Sequence, residues 1–471
     1  MNPLTDAPAA PAPSPAAAPA AWLPRSHTEL HGELHARPAL PVRTPCVVSS
    51  WAQWGMAAAQ AESALAELCR AGGQPAPPPQ ARHHVLHTPR FELRFERHGE
   101  FVSWQVNRPL HLPEGTPEDG ALDDLLEHAA ATELLPAAFV RQLSPPEGAP
   151  MIAAAHVLLL QADEDSLPRL RRRIATALGS GGGLGGDDGA PLLGAVIADG
   201  QAVVFTDLRL RGDGFTRFVL LDMGLPPDQA AREAQRLCEI ETYRMLAMLG
   251  FPVAQKEAQA LVSLERTLQR TVDAMANDDA RDDAAAFETL TKLAAEIEHS
   301  AARTRYRFSA TRAYHQIVQR RLADLRERRI EGVQTLSGFF GRRFAPAMAL
   351  CESTDARLTD VADRINRAVA LARVRVEVQR EAGNQEVFKL LAHRQQLQLR
   401  LQQTVEGLSV VAISYYALGL VGYLAKAAKG VPALAATLPA PDVVVGLAVA
   451  PVVGGVWLFL KRLHQRLGGH H

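Results

Sequence analysis

Residues 408–425 read LSVVAISYYALGLVGYLA, and residues 443–460 read VVVGLAVAPVVGGVWLFL. Neither stretch holds a charged residue. Each sits near the lower length limit for a helix that crosses a bilayer. Two such stretches in succession are rare in soluble folds, so a buried core hairpin is the weaker reading. Residues 404–463 are predicted to form a C-terminal two-helix transmembrane hairpin. Lys461, Arg462 and Arg466 follow the second stretch, which the positive-inside rule assigns to a cytoplasmic tail at 464–471. Lys426 and Lys429, in the connection, oppose that bias. Gly446, Ala450 and Gly454 recur every four residues on the second stretch, a spacing that admits a close helix neighbour. That neighbour is either another copy or the first stretch of the same chain. Neither stretch has an ionisable residue at its middle, which disfavours a proton- or ion-coupled transporter.

Upstream, residues 251–403 read as a long helical, coiled-coil-like stalk. Leu261, Leu264, Leu268, Val272 and Met275 recur at steps of three and four. Leu290, Leu293, Ile297, Tyr314, Ile317, Leu322 and Leu325 continue on a second helix, and Leu358, Val361, Ile365, Val369, Ala372 and Val376 on a third. Breaks are expected near residues 277–283 and 338–346, with a bend at Gly383-Asn384.

Residues 22–250 read as an α+β head domain facing the cytoplasm. Residues 90–96 alternate with period two; His98-Gly99 follows as a turn, then 101–106 as a partner strand. Residues 192–197 and 202–206 flank Asp199-Gly200 as a second hairpin, and 153–160 and 215–221 are further strands. Helices are expected over 50–71, 122–131, 166–178 and 227–249. The glycine-rich loop SGGGLGGDDG at 180–189 lacks the lysine and spacing of a phosphate loop. Residues 1–21 are an Ala/Pro tail, expected to be disordered and unlike a signal peptide.

Composition narrows the class. Of 471 residues, 50 are basic and 51 acidic, so no global field points to nucleic acid. Cys46, Cys69, Cys238 and Cys351 lie far apart, which excludes a disulfide scaffold and a cysteine zinc cluster.

Several blocks resemble a known family. They are Leu34-His35-Ala36-Arg37-Pro38, residues 313–335 (AYHQIVQRRLADLRERRIEGVQT), residues 342–347 (RRFAPA) and residues 399–409 (LRLQQTVEGLS). Together they resemble a bacterial domain-of-unknown-function family described as uncharacterised membrane-anchored proteins. Gly32-Glu33 stands where the family form has Asn-Glu. The resemblance implies membrane anchoring and brings no activity, cofactor or catalytic residue.

Three groups are candidates for chemistry. His27, His31 and His35, four apart with Glu29 and Glu33 between them, would share one helix face as metal ligands. Pro38 and Pro41 argue for an extended segment instead. His83, His84 and His87 are expected in a loop before a strand. Asp278, Asp279, Asp282 and Asp283 form an acidic turn that would gather cations near a bilayer, while eleven arginines crowd residues 303–343. The bland reading is that these opposite blocks neutralise one another in a helix bundle. No GxSxG, HExxH or cysteine–histidine signature occurs.

The leading expectation is a membrane-anchored scaffold or sensor of unknown ligand and cofactor. It is placed in a bacterial inner membrane as a multi-pass homo-oligomer with both termini cytoplasmic. An ion channel similar in architecture to the CorA-type magnesium channels is the alternative, but residues 425–429 read AKAAK where those carry Gly-Met-Asn. A metal-dependent enzyme in the head domain rests on the three N-terminal histidines alone.

Overall fold

The computed structural model describes residues 40–111, 119–143, 149–180, 192–277, 283–429 and 439–467. They form two compact units. One takes in the chain as far as Asp273 together with Leu290–Asn366; the other takes in Ala274–Thr289 and the chain from Arg367 on.

The first unit is built on a nine-stranded sheet. Its strands are β1 (Cys46–Trp54), β2 (His83–His87), β3 (Glu92–Arg97), β4 (Phe101–Pro109), β5 (Met151–Gln161), β6 (Leu193–Ile197), β7 (Ala202–Thr206), β8 (Thr216–Asp222) and β9 (Arg328–Arg329). They lie in the order β2-β3-β4-β1-β5-β8-β7-β6-β9. Only the β5–β8 pair is parallel.

Strand β1 corrects the expected helix over 50–71. The alanine-rich helix that follows it draws the expected helix too far toward the N-terminus. Pairing with β4 on one edge and β5 on the other gives it a full set of ladder bonds, and tertiary context overrides propensity. The strand ends at Gly55, whose φ of +71° only glycine adopts freely. Helix α1 (Ala58–Ala71) follows. The histidines of β2 likewise lie in a strand and not a loop, because β3 supplies a partner along their whole length. The two hairpins occur as the alternation predicts, β3 with β4 and β6 with β7, the second turning through Asp199 and Gly200 at positive φ.

Alternation sorts the sheet into two faces. On one, Val47 and Trp51 of β1, Phe95 of β3 and Trp104 and Val106 of β4 form a single core with Leu158 of β5 and Val219 of β8. Helices α1, α2 (Asp119–His128), α3 (Ala137–Leu143) and α4 (Leu167–Ser180) cover it through Leu65, Leu122, Phe139 and Ile174. Trp104 sits at its centre, wholly buried, with ring centroids 4.8 Å from Phe95, 5.2 Å from Phe139 and 6.3 Å from Trp51. The other face carries α5 (Pro227–Met248) against β5 and β1. Helix α5 opens with Pro227 at a position where its missing N–H costs nothing. Its small residues Ala230, Ala231 and Ala234 are buried.

Helices α6 (Gly250–Ala276), α7 (Asp283–Asp324) and α9 (Ala345–Lys429) contribute their apolar stripes to the same unit. Leu261, Leu264, Leu268, Leu290, Ile297, Leu358, Val361 and Ile365 are all buried. Arginines join the helices across those stripes: Arg303 pairs with Glu257, Arg357 with Glu265, and Arg312 with Asp355 at 2.7 Å. The second helix break falls earlier than expected. After α7, Leu325 and Arg326 leave the helix, and Arg328–Arg329 adds β9 to the sheet edge at β6. Thr335 then caps the short α8 (Leu336–Arg343) by accepting from the Gly338 N–H at 3.1 Å. A further break, at Phe344 between α8 and α9, falls within the expected 338–346.

In the second unit α9 runs unbroken through Gly383 and Asn384 to Lys429, so neither residue ends the helix. Helix α10 (Pro441–Leu467) follows. A Cβ on Gly422 of α9 would stand 3.3 Å from Val445 of α10, so the two helices meet there. Both are long and apolar enough to cross a membrane.

Replacing Trp104 by Ala is expected to cost the first unit about 3–5 kcal/mol by opening a cavity that three rings cannot fill. Chemical denaturation followed by tryptophan fluorescence measures it. An unchanged midpoint would show that the core is not centred on this ring.

Candidate functional site

The second face of the sheet is apolar under α5 and polar beside it. On β3 the period of two brings Arg94 and Glu96 to this face; on β4 it brings Ser103 and Gln105, and β1 contributes Ser50. Helix α5 turns Gln235, Cys238, Glu239 and Thr242 toward them, residues spaced to form one stripe. His98, Phe101 and Tyr243 complete the rim of a shallow, half-open cleft.

Arg94 organises the cleft. Its side chain is 8% exposed, and its guanidinium donates to the Gln235 carboxamide at 3.0 Å and to Gln105 at 3.2 Å. The Glu96 carboxylate lies 3.7 Å away and also stands 3.6 Å from His98. Gln235 passes the network on, donating to Glu239 at 2.7 Å, and Glu239 is paired with Arg321. Two carboxylates therefore balance two guanidiniums. The sulfur of Cys238 is no nucleophile, since burial pushes its thiol up to about 12, assisted by Glu239 and opposed by Arg94 and Ser50. The arrangement suits hydrogen-bonded recognition of a polar group. The His98 Nε2 also stands 3.3 Å from the Ser103 hydroxyl, so the rim carries a serine–histidine contact as well.

At one end of the cleft an ionic and aromatic pin fixes α7 to the sheet. Arg307 donates to Glu100 at 2.6 and 3.3 Å, and Trp54 donates to the same carboxylate at 3.4 Å. Burial works against the Glu100 charge, but hydrogen bonds from Arg307 and Tyr314 prevail and hold its carboxyl below the usual range. The Tyr314 ring stacks 5.7 Å from Tyr243, and both meet Phe101 edge-on.

The opposite face holds a serine, a histidine and an aspartate in sequence-distant contact. Register places Ser49 of β1 directly across from His156 of β5. Ser49 and the Nδ1 of His156 are 2.6 Å apart, and the Nε2 of His156 lies 3.5 Å from Asp213. The trio resembles a hydrolytic triad in composition only. Ser49 is wholly buried, and its oxygen already accepts the Ala131 N–H at 2.8 Å. Ser49 and Nδ1 share one hydrogen bond, and Nε2 faces Asp213. The trio pins the turn at Ala131 to the centre of the sheet, with Phe215 stacked 4.0 Å from the imidazole. Asp213 also accepts from Arg217 at 2.5 Å.

The candidates read from sequence fall as follows. His27, His31 and His35 lie outside the described residues, as do Asp278, Asp279, Asp282 and residues 181–189. Asp283 is buried and bonds Arg375 at 3.2 Å, so its charge is neutralised inside the second unit. Gly446 and Gly454 would each meet nothing within 4 Å if given a Cβ, and Ala450 is exposed, so this stripe faces away from α9. His84 meets Cys69 at 3.4 Å and His87 meets Glu92 at 3.0 Å, as separate pairs. Among the described residues no group of three or more His, Cys, Asp or Glu is placed to hold a metal ion. Sequence reading missed both the cleft and the buried trio. The α5 stripe of Gln235, Cys238, Glu239 and Thr242 was the one signal available, a polar face on a helix that packs on a sheet.

Burial lowers His156 below its ordinary value near 6.5; Asp213 opposes the shift and Arg217 reinforces it. Folding thus favours the neutral ring. The unfolded chain takes up a proton near pH 6.5 that the folded chain refuses, so this contribution is complete above that pH and is lost as pH falls below it. His156→Ala is expected to cost about 1–3 kcal/mol at pH 7.5 by removing the partner of the buried Ser49 hydroxyl and the ring on which Phe215 stacks. The variant should also lose less stability than wild type between pH 6.5 and 5. Unfolding midpoints across that range test both; parallel pH curves would refute the assignment.

No curated protein and no solved structure matches the chain, so its cleft inherits no ligand by comparison. A family model covers nearly all of it, reaching from the residues before β1 through α10. On that match, over residues 25–467, the chain belongs to the family of proteins of unknown function DUF3422.

Proposed function

We propose that this chain is a membrane-anchored scaffold or sensor of the bacterial inner membrane. Its α+β unit and both termini face the cytoplasm, and the polar cleft is the surface offered to a ligand. The observation that carries the reading is unsatisfied apolar area. The most apolar 18-residue windows of α9 and α10 are 6% and 0% buried within the chain. Leu408, Val411, Leu420, Tyr423, Leu447, Val449 and Phe459 all lie exposed there. At roughly 25 cal/mol for each Å² of apolar surface, water is an untenable solvent for such helices.

Secondary features support the same reading. Lys461 and Arg462 close α10 beside Trp457, with the Lys461 ammonium 4.8 Å from the indole, a pairing suited to a membrane boundary. Tyr415, Tyr416 and Tyr423 are exposed on α9. The open stripe of Gly446, Ala450 and Gly454 favours contact with a helix of another copy. The cleft holds a buried guanidinium within a hydrogen-bonding network, which suits binding a polar group.

Fractionation of cells producing the full chain tests the anchor. The protein is expected in the membrane pellet, retained through an alkaline carbonate wash and released only by detergent. Ala440→Cys is expected to react with a membrane-impermeant maleimide from outside the cytoplasmic compartment. Recovery in the soluble fraction after the wash would overturn the reading, and labelling only from the cytoplasmic side would overturn its orientation.

A further inference from the structure

Ahead of the first apolar span, α9 shows a second surface that nothing among the described residues covers. Every residue from 379 to 405 is exposed. Within that stretch Val387, Leu390, Leu397 and Leu401 follow one another at steps of three, seven and four, and Leu408 comes seven later. With Arg394 and Thr404 filling the remaining places, these residues occupy the a and d positions of three consecutive heptads. Leu391 and Val405 widen the stripe on one side. The side chains are far from buried: Val387 is 56% exposed, Leu390 62% and Leu401 67%.

We infer that residues 387–408 form a parallel, in-register, two-stranded coiled coil with a second copy of this chain. The repeat is 3.5 residues, the period of a helix supercoiled on another helix, and a straight helix would drift by about 20° in each heptad. Parallel register follows from the membrane-anchored reading, on which this inference rests. Leu408 opens the apolar span, and identical spans at one depth set identical heptads side by side. Two strands follow from the residues at the seam. A β-branched Val387 at a with Leu390 and Leu397 at d favours a dimer. Arg394 at a also fits two strands, where a long side chain can reach solvent past the seam. The area suffices: seven apolar side chains on each of two copies present on the order of 1,000 Å², about the threshold for a specific interface. Flanking charges are sparse at the positions that pair across such a seam, so apolar packing sets the contact.

Cysteine cross-linking of the full chain tests this. The native thiols are buried. Single substitutions are made at two seam positions, Leu397→Cys and Leu401→Cys, and at two positions facing away, Ala392→Cys and Leu399→Cys. All four residues are exposed, so folding is not at stake. Mild oxidation of native membranes is expected to give roughly tenfold more covalent dimer from the seam pair than from the outward pair. Equal yields, or none, would overturn the coiled coil. A ladder extending beyond dimer with a short bifunctional reagent would overturn the strand number. Cross-linking is scored in whichever cell fraction holds the chain. Seam-specific dimer in the soluble fraction would keep the coiled coil and reject the anchor; membrane retention without it would keep the anchor and reject the coiled coil.

Discussion

Apolar helix surface that the chain itself does not cover is the constraint on which the second unit depends. In the first unit each apolar stripe finds a partner: Leu261 and Leu264 of α6, Ile297 of α7 and Val361 of α9 are all buried. Beyond Ala372 the same helix continues with most of its apolar residues outward, first at heptad spacing and then as an apolar span. A helix cannot remain so in water, because its stability comes from burying such a face more than from propensity. On the proposed reading two environments follow in order along one helix, a neighbouring helix and then lipid.

The first unit obeys a different division. One half of its sheet is covered on both faces by apolar side chains. The other half keeps Arg94, Glu96, Ser103 and Gln105 on the face beside α5, where α5 meets them with a polar stripe of its own. A buried arginine that donates to two carboxamides is costly unless the surrounding network is complete. Here Gln105 donates in turn to Asn107 at 3.0 Å, and Gln235 to Glu239, so both acceptors of the arginine are themselves held, while the buried Asn107 Nδ2 has no hydrogen-bond partner among the described residues. The cleft is thus a built feature and not a packing fault. The buried Ser49, His156 and Asp213 show the converse case, a set of residues with catalytic composition whose geometry serves structure.

Much of this was legible in the chain. Alternation with a turn between marked β3 and β4, and β6 and β7, because those strands have one polar face or a tight connection to declare them. The long helices and the two apolar spans showed themselves through period and absence of charge. Strand β1 was not legible: Ser50, Ala52 and the alanines after it have no strand preference, and their state is set by neighbours about 50 and 100 residues away. The histidines of β2 were hidden for the same reason. Strand β9 is two arginines long, and only the edge of β6 makes it a strand. The cleft and the trio draw on segments far apart in sequence, such as Ser49 and His156, so no local pattern announces them.

The mass of the detergent-solubilised chain, corrected for bound detergent, tests the central claim most directly. The account predicts twice the 50.9 kDa of one chain, with a belt of detergent bound around two helical hairpins. A monodisperse 50.9 kDa particle that binds no detergent would contradict it.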